Sequence, residues 1–190
     1  FFMCLLMLYA LGSWLPKLMM AAGYSLGSSL MFLLALNVGA VIGTISGGVL
    51  ADRFDFKRVL ISMLIVGILS LVGLGFNSPQ PVIYLLVSLA GASSIGSSIL
   101  LYSYVAQYYP VAVRSTGIGW ASAVGRTGAI VGPIVIGMLL GMELPHKWNF
   151  IAVAIPGIIG ALAIFFIRPA KTGEIKAEPT AVASAQPIRS

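Results

Sequence analysis

Asn37-Val38-Gly39-Ala40-Val41-Ile42-Gly43 returns without a gap as Arg126-Thr127-Gly128-Ala129-Ile130-Val131-Gly132, 89 positions further along a chain of 190 residues. At the same offset Gly48 meets Gly137 and Arg58 meets Lys147. Each copy lies inside a long apolar run, 28–50 for the first and 116–142 for the second. A helix that crosses hydrocarbon needs about 20 mostly apolar residues, each rising about 1.5 Å. Both copies therefore read as the middle of a transmembrane helix.

Four more runs of that kind flank them, at 1–20, 59–76, 81–106 and 148–168. The breaks fall at Ala22-Gly23-Tyr24-Ser25, at the charge cluster from Asp52 to Arg58, at Asn77 to Pro81, at Tyr109 to Arg114 and at Glu143 to Lys147. Glycine, proline and charge are the residue types that punctuate such runs. Lipid offers no partner to backbone polar groups, so the spans are read as helices and the fold class as all-α. The runs are too long and too uniformly apolar for the alternating strands of a membrane barrel. With six crossings, the second and fifth spans run in opposite directions. The repeat is then an inverted one of three spans plus three, an arrangement found in secondary transporters.

Composition agrees with this reading: 59% of the residues are hydrophobic and 8% are charged, whereas soluble domains carry roughly 25% charged residues. One cysteine excludes a disulfide scaffold. The formal charge of +6 comes without an aromatic-interleaved basic stripe, so no nucleic-acid partner is expected. Arg53, Lys57, Arg58, Arg114, Arg168, Lys171, Lys176 and Arg189 fall on one side, against Lys17 and Lys147 on or near the other. The positive-inside rule makes the first side cytoplasmic and places both termini there. The chain opens on Phe1 within an apolar run and with no basic leader, which is unlike a signal peptide. The expectation is a six-helix bundle over 1–168, cut from a longer protein, followed by a disordered cytoplasmic tail over 169–190.

Arg126 is the sharpest functional candidate. A charge near the bilayer centre costs from about 2.5 to more than 10 kcal/mol, depending on how water and snorkelling relieve it. Roughly 15 Å separates it from the nearer end of its helix, too far for an easy reach to water. A polar cavity or a buried partner is expected, in a substrate-linked or a purely structural role. Asn37, at similar depth, can donate and accept at once, which suits a ligand or a neighbouring helix. Ser88, Gly91, Ala92, Ser93, Ser94, Gly96, Ser97 and Ser98 give the fourth span small residues on nearly every face. They permit close packing and leave room for a water-accessible wall. Tyr102 is the deepest of the tyrosines near the end of that span. Pro16 is expected to interrupt the first span and Pro133 to kink the fifth, beside Gly132.

No Asp or Glu lies deep in a span, so a membrane-embedded carboxylate cannot carry a proton here. His146 reads as a solvated residue of an outer loop. One Cys and one His, without paired intramembrane acids, supply neither a metal cluster nor a nucleophile with its base, so no enzyme activity, metal or cofactor is expected. The second loop is more specific. Asp52 can be set against the positive N-terminus of a neighbouring helix. With Arg53, Lys57 and Arg58 it reads as a gating latch rather than a bare basic anchor.

Gly48-x-x-x-Asp52-Arg53 followed by Lys57-Arg58 resembles the cytoplasmic loop motif of the major facilitator superfamily in its second-half copy, with Asp55 standing where a Gly-Arg pair is common. Two stretches resemble a narrower group. One runs from Gly12-Ser13-Trp14-Leu15-Pro16-Lys17 into Gly23-Tyr24-Ser25-Leu26-Gly27. The other runs from Tyr104 through Arg114-Ser115-Thr116-Gly117 to Gly125-Arg126 and Gly132-Pro133. Together they are similar to the aromatic acid:proton symporter family, most closely its benzoate-transporting members. The resemblance covers about 1–168, corresponding to the C-terminal six helices of a twelve-helix fold. It implies import of an aromatic carboxylate of the benzoate or hydroxybenzoate type with a proton across a bacterial inner membrane. Coupling acids would then lie in the other, N-terminal half. It marks Asp52, Arg114 and Arg126 as charges that matter for transport. Arg126 would meet the substrate carboxylate bidentately, while Tyr9 and Trp14 would stack on its ring, with packing near the outer interface an equal reading for Trp14. Asn37 and Tyr102 complete the candidate binding set, and Asp52, Arg53, Lys57, Arg58, Arg114, Gly132 and Pro133 the conformational set. Two other readings stay open: a transporter of another organic anion, and a six-span channel or structural subunit.

Overall fold

In a computed structural model of the protein, residues 1–76, 78–142 and 145–167 are described. Six helices follow one another: α1 (Phe2–Ala21), α2 (Leu26–Arg53), α3 (Phe56–Leu74), α4 (Gln80–Tyr108), α5 (Arg114–Gly141) and α6 (His146–Phe166). Each of the six regions is long and apolar enough to cross a membrane. Arg168 and the expected tail over 169–190 lie outside the described residues, as do Asn77 and Glu143.

Local chemistry sets the ends. Gly23, at φ 96°, closes α1, with the Tyr24 N–H reaching back to the Met19 carbonyl at 3.1 Å. A positive φ costs glycine little, which is why it stops helices this way. Ser25 caps α2 by accepting the Ser28 N–H at 3.3 Å. Pro81 sits in the first turn of α4, where its missing donor has no helical partner to lose. A single 3-10 turn, Val111–Val113, joins α4 to α5.

Two expectations are corrected. The charge cluster does not begin the second break at Asp52: α2 continues through Asp52 and Arg53, and α3 begins at Phe56. Asp55, not Asp52, takes the N-terminal position of α3 and accepts the Lys57 N–H at 3.4 Å. The chain turns where a side chain can cap the next helix, not where charge first appears. Nor does Pro16 interrupt the first span: α1 is helical on both sides of it, as α5 is around Pro133 and α6 around Pro156. Proline deletes one ladder bond, and buried neighbours such as Leu15, Leu18 and Met19 keep the two halves of α1 packed.

Helices α1 and α4 hold the middle. α4 touches α1, α2, α3 and α5, and α1 touches α2, α4, α5 and α6. Exchanging α1, α2 and α3 for α4, α5 and α6 leaves the set of touching pairs unchanged among the described residues. Glycines show the same correspondence. A Cβ on Gly39 would strike the backbone of Ser88, and one on Gly43 the backbone of Ala92, so α2 lies directly against α4. Gly128 and Gly132 seat α5 in the same way against the carbonyls of Phe2 and Leu6 on α1. Gly67 of α3 faces Ser93, and Gly157 of α6 faces Met7. Small residues let helix backbones approach where apolar lipid supplies little drive for association. The outer faces stay apolar, with Val41, Ile42, Ile45, Ile130 and Met138 all more than half exposed.

Candidate functional site

A cleft of about 300 Å³ opens between α1, α2 and α4. Leu8, Leu33, Leu36 and Ile95 form its apolar walls, and Tyr9, Ser13, Asn37 and Ser94 supply its polar atoms. The Asn37 Nδ2 donates to the Leu33 carbonyl of its own helix at 2.8 Å. Ser94 is buried, and its hydroxyl donates to the Ala90 carbonyl at 2.6 Å. Of the expected binding residues, the fold thus brings Asn37 and Tyr9 together. Ser13 and Ser94 join them; along the chain Ser13 stands out only within the Gly12–Lys17 stretch, and Ser94 only within a run of small residues.

Arg126 stands elsewhere. It lies exposed on α5, two positions before the buried Gly128 that packs on α1. It shares an uncovered side of that helix with Trp120 and Ala123. Helices α2 and α5 do not touch among the described residues, so Asn37 and Arg126, which align in the two similar sequence stretches, are not neighbours.

The other aromatic candidates are occupied with holding α5. The Trp14 Nε1–H donates to the Pro133 carbonyl at 2.9 Å, and its ring packs against Gly137. The Lys17 ammonium lies 4.5 Å from the Trp14 ring centroid, within cation–π range. The Tyr102 hydroxyl is 3.2 Å from the Ser122 Oγ, and its ring meets Phe1 edge-on at 4.8 Å. Expected kink residue Pro133 is therefore also the acceptor for Trp14, one position after the glycine that admits α1.

In the second connection Asp52, Arg53 and Arg58 are exposed. Lys57 does something its sequence position did not suggest. Its Nζ donates to the carbonyls of Phe165 at 2.8 Å and Ile167 at 2.5 Å, at the end of α6. A cation there meets the negative end of the helix dipole. Arg114 opens α5, and its Nε is buried without a hydrogen-bond partner. The Asn149 Oδ1 in α6 is buried in the same condition, a polar site that the apolar run around it concealed. A second cavity, of about 400 Å³, is almost wholly apolar and aromatic, with Phe1, Tyr104, Tyr108 and Ile164 among its walls. Among the described residues no three His, Cys, Asp or Glu side chains group to hold a metal.

The family model of the Major Facilitator Superfamily matches residues 1–190. The chain is 52% identical over 167 residues to a benzoate transport protein of Acinetobacter baylyi, covering 88% of this chain and 36% of that protein. It is 43% identical over 164 residues to a gentisate transporter of Corynebacterium glutamicum, covering 86% and 37%. A 4-hydroxybenzoate transporter of Acinetobacter baylyi is 33% identical over 171 residues, covering 87% and 36%. The chain therefore spans little more than a third of the length of these relatives.

Proposed function

The chain belongs to the major facilitator superfamily, and on that premise we propose that it serves proton-coupled uptake of an aromatic carboxylate of the benzoate or hydroxybenzoate type. The observation that carries this reading is the 52% identity, over 167 residues, to a benzoate transport protein. Relatives named for gentisate and 4-hydroxybenzoate support the same substrate class.

In this reading the six helices are a 3+3 inverted repeat, one half of a twelve-helix transporter whose N-terminal half is the partner. The unchanged contact set on exchanging α1–α3 for α4–α6 supports the repeat. The paired glycine seats at Gly39 and Gly128 support it too. Arg53, Lys57, Arg58 and Arg114 at one end support a cytoplasmic assignment for that end, in a bacterial inner membrane, with both termini of the segment on the same side. The substrate is an anion whose desolvation needs a cation, and Arg126 is the deep one. Its guanidinium takes the carboxylate, and Tyr9 and Asn37 take the ring. Trp14 and Tyr102, whose polar atoms are engaged on α5 and its carbonyls, position that helix. Alternating access rocks this bundle against the other half, with Asp52, Arg53, Lys57, Arg58 and Arg114 gating one end and the Gly132-Pro133 step flexing α5. The coupling proton is carried on the other half, since no acid lies deep in these spans.

Uptake of labelled benzoate by cells expressing the complete protein tests the reading. Accumulation against a gradient that a protonophore abolishes is the expected result. Saturable uptake indifferent to the protonophore would remove proton coupling, and no uptake of any aromatic acid would remove the substrate class.

A further inference from the structure

The cleft between α1, α2 and α4 has polar atoms on four side chains, yet no charged residue lines it. Resting on the reading of the chain as an aromatic-acid transporter, we propose that this cleft receives the uncharged end of the substrate ring and reads its hydroxyl groups, with Asn37 setting the preference among ring substituents.

The carboxylate is a poor occupant. An anion taken out of water without a cation carries a heavy desolvation cost, and none of the lining side chains offers one. The lining polar groups point the same way. Because the Asn37 Nδ2 gives only one of its hydrogens to the Leu33 carbonyl, its second N–H and its Oδ1 both remain for a ligand. Because the Ser94 hydroxyl gives its proton to Ala90, its oxygen keeps lone pairs and no donor. A rim of neutral donors and acceptors matches a phenolic hydroxyl, which both donates and accepts, and leaves the charge of a carboxylate uncompensated. The walls of Leu8, Leu33, Leu36 and Ile95 suit the ring faces, with Tyr9 beside them for stacking. A volume of about 300 Å³ is at the small end of ligand sites and suits a single ring. The charge is met elsewhere: Arg126 stands on α5, which α2 does not touch.

Such a site discriminates between ring substituents, because a polar group left facing a C–H edge makes no bond to the substrate. The test is uptake of benzoate and of 3- and 4-hydroxybenzoate by cells expressing the complete protein, wild type or carrying Asn37→Leu, Ser94→Ala or Tyr9→Phe. Losing one neutral hydrogen bond is a threefold to roughly tenfold effect. Asn37→Leu is expected to lower the ratio of hydroxybenzoate to benzoate uptake about tenfold, and Ser94→Ala about threefold. Ser94→Ala removes one atom, so it decides the matter if Asn37→Leu fails to accumulate. A ratio unchanged in Ser94→Ala and in every accumulating Asn37 variant overturns the proposal while leaving aromatic-acid transport standing. Equal losses of all three substrates overturn it as well, since the cleft would then read no substituent. A wild-type protein that carries no aromatic acid removes the underlying reading, and this one with it.

Discussion

Two regions of the molecule share a sequence pattern and part company in chemistry. Around Gly39 and Gly43, α2 is seated on α4, and around Gly128 and Gly132, α5 is seated on α1, in both cases with backbone against backbone. Two positions before each first glycine stands a polar residue. In one copy it is Asn37, an amide bonded to its own helix at the rim of a cleft. In the other it is Arg126, a cation on an uncovered side of α5. The repeated element is a packing device, and what was not repeated is the polar side chain two positions before it. A fold that needs its glycines can vary the neighbouring position without disturbing the contact.

The comparison breaks most visibly at the glycines themselves. Gly39→Leu and Gly128→Leu each drive a side chain into a facing backbone that cannot yield. Overpacking of this kind costs about 1–3 kcal/mol or more. Both variants are expected to lose folded protein in detergent size-exclusion profiles. Gly119→Leu, with nothing within 4 Å of its Cβ, should elute like the parent. Collapse of one seat and tolerance at the other would end the equivalence.

Next in size is the contrast between the two polar residues. Arg126→Ala should reduce benzoate uptake by roughly ten- to a hundredfold at equal protein level, the scale of a hydrogen bond to a charged group at about 1.5–3 kcal/mol. Asn37→Ala should reduce it less, because the amide is neutral. Equal losses, measured as initial rates, would mean that both copies serve the same end of the substrate. Undiminished uptake by Arg126→Ala would leave the guanidinium with a structural role.

The smallest effect sharpens the packing side. Trp14→Phe deletes the bond to the Pro133 carbonyl and, with it, the indole atoms that meet Gly137. A loss of about 0.5–1.5 kcal/mol is expected, read as a drop of a few degrees in the thermal unfolding midpoint. No change would show that the Pro133 carbonyl is equally content without its partner.

Much of the architecture was legible because membrane helices announce themselves by length and apolarity. The repeated Gly-x-x-x-Gly spacing also says where backbones can meet. Asp52 and Asp55 could not be ranked from sequence, since each precedes the third helix closely and only the turn geometry selects Asp55 as the cap. Pro16 misled in the other direction: one missing bond does not end a helix whose neighbouring side chains are buried on both sides of the gap. The candidate site was legible only in part. Tyr9, Asn37 and Ser94 reach one cleft from three helices, and their meeting depends on rotations that the glycine seats fix. Trp14 illustrates the same limit, since its indole is amphipathic enough to stack on a ligand or to clasp a neighbour.

Lys57 carries one more consequence, in the order of synthesis. The carbonyls it holds belong to Phe165 and Ile167, 108 and 110 positions later in the chain. At about 5–20 residues per second, a ribosome needs roughly 5–20 s to make what lies between. Through that interval the third helix exists with its ammonium unsatisfied by protein, open to water, lipid phosphates or a chaperone. Only when the sixth helix is complete does the start of α3 find the end of α6. A nascent chain that stops short of Phe165 has neither acceptor and cannot close the clasp.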